Sequence, residues 1–305
     1  MTADSYYGRP IVKEPVWQPE VPLYLFTGGV AGASSVLHVL ARIAGNERLA
    51  KSSLYVGAAA DAVSPLLLVS DLGRPERFLN MLRVFKVTSP MSVGSWILFI
   101  SSGASNVAAT LELLRRLPRL RTLAELVSFV TGPPLATYTG ALLANTAIPV
   151  WSEALDELPW LFAASATASA GAAAVIATPP GPAGPARRAA IAATVAELGL
   201  MTAMERRLGF VGEVYRREEA GRYGKLSKVC TAAGAGLLAL RGSRSRTAAV
   251  AGGALVLAGE LALRWSVFKA GFQSARDPRY TVVPQKERLR RSASPAASSA
   301  SPTPS

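Results

Sequence analysis

The chain has 305 residues, of which 50% are hydrophobic and only 17% charged, against roughly 25% charged in an ordinary soluble domain; its mean hydropathy is +0.27. That balance excludes a soluble globular domain, as do the stretches 52–70, 92–110 and 158–178, whose one charged side chain is Asp61. The net charge of +13 does not point to nucleic acid, because Lys and Arg fall in the connections between apolar runs, where they hold helix ends at lipid headgroups.

Residues 1–20 are polar, and the first apolar run, Val21 to Ala41, reads as a retained helix rather than a cleaved signal peptide. It carries overlapping small-residue pairs, Gly28 with Gly32 and Gly29 with Ala33, which allow close helix approach. Ser52 to Ser70, Ser92 to Leu111 and Leu123 to Pro149 follow, completing a first four-helix bundle over 21–149. The second bundle, 150–283, comprises Leu158 to Thr178, Ala189 to Met204, Lys225 to Leu240 and Thr247 to Phe268, with a surface segment after it. The sixth and seventh segments are the shortest; without them the count is six and the termini still share a side. Beyond Pro284 the basic, Ser/Ala/Pro-rich stretch 284–305 is expected to be disordered. The fold class is therefore an all-α integral membrane protein of about eight transmembrane helices in two four-helix bundles with short loops.

The connections after spans one, three, five and seven hold 12 basic residues against only Glu47 and Glu112, and these short loops read as the cytoplasmic side of a cell membrane. The opposite face is mixed, with the larger raw count of 20 basic residues and also 14 acidic ones.

Cofactor capacity is narrow. One His and one Cys cannot supply two axial haem ligands, an iron–sulfur cluster, an internal disulfide or a His/Cys zinc site. No metal site and no haem or cluster is expected in this chain.

Ionisable groups inside spans are costly and thus candidates for function. Asp61, Glu125, Glu197, Glu260 and Arg264 remain once loop residues are set aside. Glu260 and Arg264 stand four apart on one helix face and are expected to form a structural ion pair. Asp61 and Glu197 have no such neighbour in their own helix and can take and pass a proton or bond a nearby carbonyl. Counting from the mixed face, Asp61 lies roughly 15 Å deep, His38 roughly 24 Å and Glu125 deeper still. Tyr138 is expected near the level of Asp61, with Asn145 closer to the mixed face. A quinone headgroup needs donors at its carbonyls, an apolar slot and a proton route. Tyr138, Asn145 and Asp61 can supply the first, and His38, Glu125 and Glu197 a path for protons.

Several stretches resemble the NrfD/PsrC family of membrane anchor subunits: Trp17 with Val21 to Gly29, the loop Asp71-Leu72-Gly73-Arg74-Pro75-Glu76-Arg77-Phe78, Thr88 to Trp96, Tyr138 to Gly140, Leu143 to Trp151, and Phe268 to Pro278. The Asp-Leu-Gly-Arg-Pro loop is the most specific of these. The resemblance implies an eight-helix subunit, usually without haem, that exchanges electrons between the quinone pool and a partner iron–sulfur subunit of the four-cluster ferredoxin-like kind. A molybdopterin catalytic subunit, commonly of the formate dehydrogenase or polysulfide reductase type, lies beyond it. It further implies a quinone site in the first bundle that includes Tyr138, with menaquinone the expected quinone, and docking of the partner on Asp71, Arg74 and Arg77.

Two other readings fit the residues. A secondary transporter would use a midplane site at a broken helix, marked by Pro133 and Pro134. A passive anchor would bind the partner but no quinone.

Overall fold

The structure, a computed structural model, describes residues 11–72, 74, 76 and 78–293. Eight long helices carry the chain: α1 Glu20–Ile43, α2 Glu47–Asp71, α3 Pro90–Leu114, α4 Pro118–Ala144, α5 Leu158–Ala177, α6 Gly184–Arg207, α7 Glu218–Leu240 and α8 Arg246–Arg276. A ninth, α9, runs Arg279–Ala293, and there is no strand among the described residues.

The helix ends follow from local chemistry. Asn46, Ser89 and Ser245 accept from the backbone N–H groups of Leu49, Ser92 and Ala248 at the starts of α2, α3 and α8. Pro90 and Pro118 occupy first helical positions, where a missing N–H costs nothing. Gly45, at φ 72°, makes the left-handed turn that stops α1. Arg246 closes the end of α5 by donating to the carbonyls of Val175, Ile176 and Thr178.

Six of the helices, α1 to α5 and α8, are long and apolar enough to cross a membrane. At 24 and 23 residues, α6 and α7 have the length, about 35 Å at 1.5 Å per residue, but not the composition. The protein is thus an all-α, multi-pass membrane protein with six spans by composition and eight by length.

Neighbours in sequence pack antiparallel: Thr27 meets Ser64 and His38 meets Ala50 across α1 and α2. Gly94 meets Tyr138 across α3 and α4, and Gly234 meets Gly252 across α7 and α8. At Gly32 and Gly132 the backbones of α1 and α4 touch, and a Cβ on either would strike the other's carbonyl. One apolar cluster, including Tyr24, Leu98, Leu135, Trp151, Phe162, Met201 and Leu263, runs through both halves of the chain.

Two expectations change. α4 passes through Pro133 and Pro134 without a break, because the pair sits where the helix is already supported against α1 at Gly132; the broken helix that a transporter site requires is absent there. The basic stretch after Pro284 is helical to Ala293 rather than without structure. Tyr280 stacks on Phe210 with centroids 5.1 Å apart, and Arg288 pairs with Glu153 at 2.7 Å, so the segment has partners that its composition did not reveal. Residues 294–305 lie outside the described residues.

Candidate functional site

The polar side chains gather at three levels. At the end formed by the α1–α2 and α3–α4 connections, His38 Nδ1 donates to Ala50 O at 2.8 Å, and its Nε2 lies 3.5 Å from Glu125 Oε1. Glu125 is 3% exposed and also pairs with Arg42 and with Arg121 Nε at 3.3 Å. Glu112 bridges Lys51, at 3.0 Å, and Arg121. Four helices are thereby tied by one ionic cluster. His38 and Glu125 are together, as their depths implied, but the arginines that hold Glu125 had been assigned to the loops.

Asp61 sits in α2 with no exposed surface. Ser102 Oγ of α3 donates to its Oδ1 at 3.2 Å, and Ser101 and Ser105 of the same helix lie within hydrogen-bonding reach of the carboxyl. Pro65, one turn on, has no N–H to give the Asp61 carbonyl. The run of serines in α3, Ser101, Ser102 and Ser105, is the sequence signal for this environment.

Tyr138 is half-buried in α4, its ring against Gly94 of α3, where an added Cβ would collide with it. Because α4 ends at Ala144 and not at Pro149, Tyr138 lies about 9 Å below that end, whereas Asp61 lies about 15 Å below the matching end of α2. The two side chains contact α3 at Gly94 and Ser102, eight residues and thus about 12 Å apart. They meet α3 from two different helices, α2 and α4, and at different depths rather than one level. Asn145 caps α4 and is exposed.

Above Tyr138 the segment 11–19 crosses the end of the bundle as a strap. Trp17 stacks on Trp151 with centroids 5.5 Å apart, Glu14 pairs with Arg276 at 2.9 Å, and Gln18 N donates to Asp71 Oδ1 at 3.1 Å. Trp151 is fully buried and donates through Nε1 to Val267 O at 2.8 Å. Trp17 separates two cavities. One, of about 460 Å³, is lined by the strap with Thr146, Ile148 and Trp151; the other, of about 350 Å³, by Phe268, Lys269, Phe272 and Gln273. Of the expected docking residues, Asp71 ends α2 and holds the strap, Arg74 is exposed, and Arg77 lies outside the described residues.

In the second half, Glu197 of α6 and Glu260 of α8 are buried and within hydrogen-bonding reach of each other. Ser165 Oγ donates to Glu260 Oε2 at 2.6 Å. Arg264 does not close the expected ion pair with Glu260. Its guanidinium lies 3.7 Å over the Phe162 ring, and Nη2 donates to Phe162 O at 3.3 Å. The spacing of four put both groups on one face, but the face meets α5 and α6, and each group finds its partner there. Glu197, placed on the proton path with His38 and Glu125, is instead drawn to this separate group.

Apolar helices with ionisable side chains turned inward define a class, the multi-pass membrane protein with polar groups at several depths in its interior. The family follows from comparison: residues 12–209, well over half the chain, match the family described as Polysulphide reductase, NrfD, and the chain belongs to it. It is accordingly a membrane subunit of a polysulfide-reductase-like oxidoreductase complex, in a family whose members work with iron–sulfur and molybdopterin subunits. The match takes in α1 to α6 and stops before α7 and α8. No curated protein matches the chain.

Proposed function

We propose that this chain is the quinone-reactive subunit of such a complex in the cytoplasmic membrane, passing electrons between menaquinone and a four-cluster ferredoxin-like partner that serves a molybdopterin enzyme. The observation that carries this reading is Asp61, a wholly buried carboxyl in an apolar helix, held only by serine hydroxyls of α3 and with no cation paired to it among the described residues, in a bundle where an ionisable group is costly. A quinone brings two carbonyl acceptors and exchanges two electrons and two protons. Tyr138 offers a phenolic donor at the α3–α4 seam, and Asp61, deeper and on the α2 side of α3, can hold the proton that leaves or enters. Asn145 stands at the mouth, beside the cavity roofed by the strap. His38 and Glu125 continue polar chemistry toward the opposite end, and the docking of the iron–sulfur partner falls on Asp71, Arg74 and Arg77.

Rates of quinol oxidation per assembled complex test the site. Asp61→Asn is expected to slow turnover tenfold or more, since an amide cannot carry the proton, with the subunit still inserted and the partner bound; a positioned acid or base contributes about 10²–10⁴. Tyr138→Phe is expected to weaken quinone binding by about 0.5–1.5 kcal/mol. Unchanged normalised rates in both variants would remove these residues from the site, and a complex that binds no quinone would leave a passive anchor.

A further inference from the structure

Glu197, Glu260 and Arg264 meet where α1, α5, α6 and α8 converge, about 15–27 Å from the helix ends. The groups facing them can be named for each element. α5 presents Phe162, Ser165 and Ala166, and α1 presents Gly29, where an added Cβ would come within 3.4 Å of Arg264 Nη2. α6 presents Glu197, and α7 passes Thr231 against Gly259 of α8. Among the described residues, Arg264 is the charged side chain beside the two carboxyls.

Charge counting then fixes the state of the group. A guanidinium stays protonated in any protein environment. Two ionised carboxyls in contact would repel each other and leave a net negative charge in a dry interior, whereas two protonated ones would leave Arg264 uncompensated. One proton for the pair gives a neutral set. The geometry agrees: Glu260 Oε2 already accepts from Ser165, and no donor of another residue reaches Glu260 Oε1 or Glu197 Oε2. Contact between two carboxyls needs a hydrogen on one of them. Thr194, one turn from Glu197, is also buried with an unpartnered hydroxyl, so the polar interior continues along α6.

We propose that Glu197 and Glu260 share a single exchangeable proton beside Arg264, forming a proton-binding site in the second half of the chain that is separate from Asp61. Taking up the proton changes no bond other than the carboxyl O–H and moves no electrons. The site does not depend on quinone chemistry, so it stands or falls independently of the function proposed above.

Infrared spectroscopy of the full-length protein in lipid nanodiscs tests it, in an Asp61→Asn background that removes the other lone buried carboxyl. The expected spectrum at neutral pH has one carboxylic-acid C=O band that shifts in D₂O. The band is lost in both Glu197→Gln and Glu260→Gln, because the remaining carboxyl ionises against Arg264, and it moves in frequency in Ser165→Ala. A spectrum without an acid band overturns the proposal, as does a band that survives both glutamine variants or one that does not shift in D₂O. If the glutamine variants fail to accumulate, the Ser165→Ala spectrum decides: an unmoved band is contrary to the assignment.

Discussion

Gly94 gives the Tyr138 ring its place, because any side chain there would occupy the space the ring fills. Gly94→Ala should therefore push Tyr138 out of the seam and raise the KM for quinol several-fold, with an overpacking cost of about 1–3 kcal/mol visible as a lower melting temperature in detergent. Gly103, on the same helix with nothing within 4 Å, is the control, and Gly103→Ala should change neither quantity. Equal behaviour of the two variants would contradict the packing assigned to Tyr138. At this scale the sequence was informative about which groups are unusual and silent about their partners. Asp61 and Glu197 stood out as carboxyls in apolar runs, but Ser102 and Glu260 lie 41 and 63 positions away, and no local periodicity encodes such contacts. The spacing of Glu260 and Arg264 was legible as a shared face; that Phe162 and Ser165 wait on the opposing helix was not.

Six of the eight long helices coincide with apolar runs long enough to span, because hydrocarbon demands internally satisfied backbone and a run of about 20 apolar residues is its signature. Hydropathy fades at the headgroups, however, while backbone hydrogen bonding continues into water. Thus α8 runs on from Phe268 to Arg276, and α7 starts at Glu218 instead of Lys225. In α4 the reverse holds: apolar residues persist to Pro149, but the helix stops at Ala144, and this shifts the level of Tyr138. Whether α6 and α7 span is open to a direct measurement, since the chain has one cysteine. In a Cys230→Ala background, Gly181→Cys and Ser243→Cys should react with a membrane-impermeant thiol reagent from one side and Gly209→Cys from the other. Labelling of all three from one side would reduce the count to six. The α2–α3 connection carries a second expectation at this scale. The connection exposes Leu79, Val84, Phe85 and Val87 as well as Arg74, a mix of apolar and charged side chains that suits a protein interface. Arg74→Ala should lower recovery of the iron–sulfur partner without lowering the amount of inserted subunit, as measured by co-purification against membrane abundance; full assembly would make the loop a surface turn.

For the whole molecule, the strap at 11–19 and the shared apolar cluster join the two halves into one body. Trp17 on Trp151 joins the N-terminal stretch to the middle of the sequence and Glu14 on Arg276 joins it to the C-terminal part, and a polar N-terminal stretch gave no sign of either. They place an aromatic roof and two cavities at the end of the bundle where the expected docking loop also lies. The most direct test of the account is to isolate the intact complex from membranes through a tag on this chain, identify its subunits and extracted quinone, and follow its spectrum on adding menaquinol. The account predicts iron–sulfur and molybdopterin subunits in fixed ratio, bound menaquinone, cluster reduction by menaquinol and no haem band from this chain. A chain that purifies without either subunit, or clusters that menaquinol leaves oxidised, would contradict it.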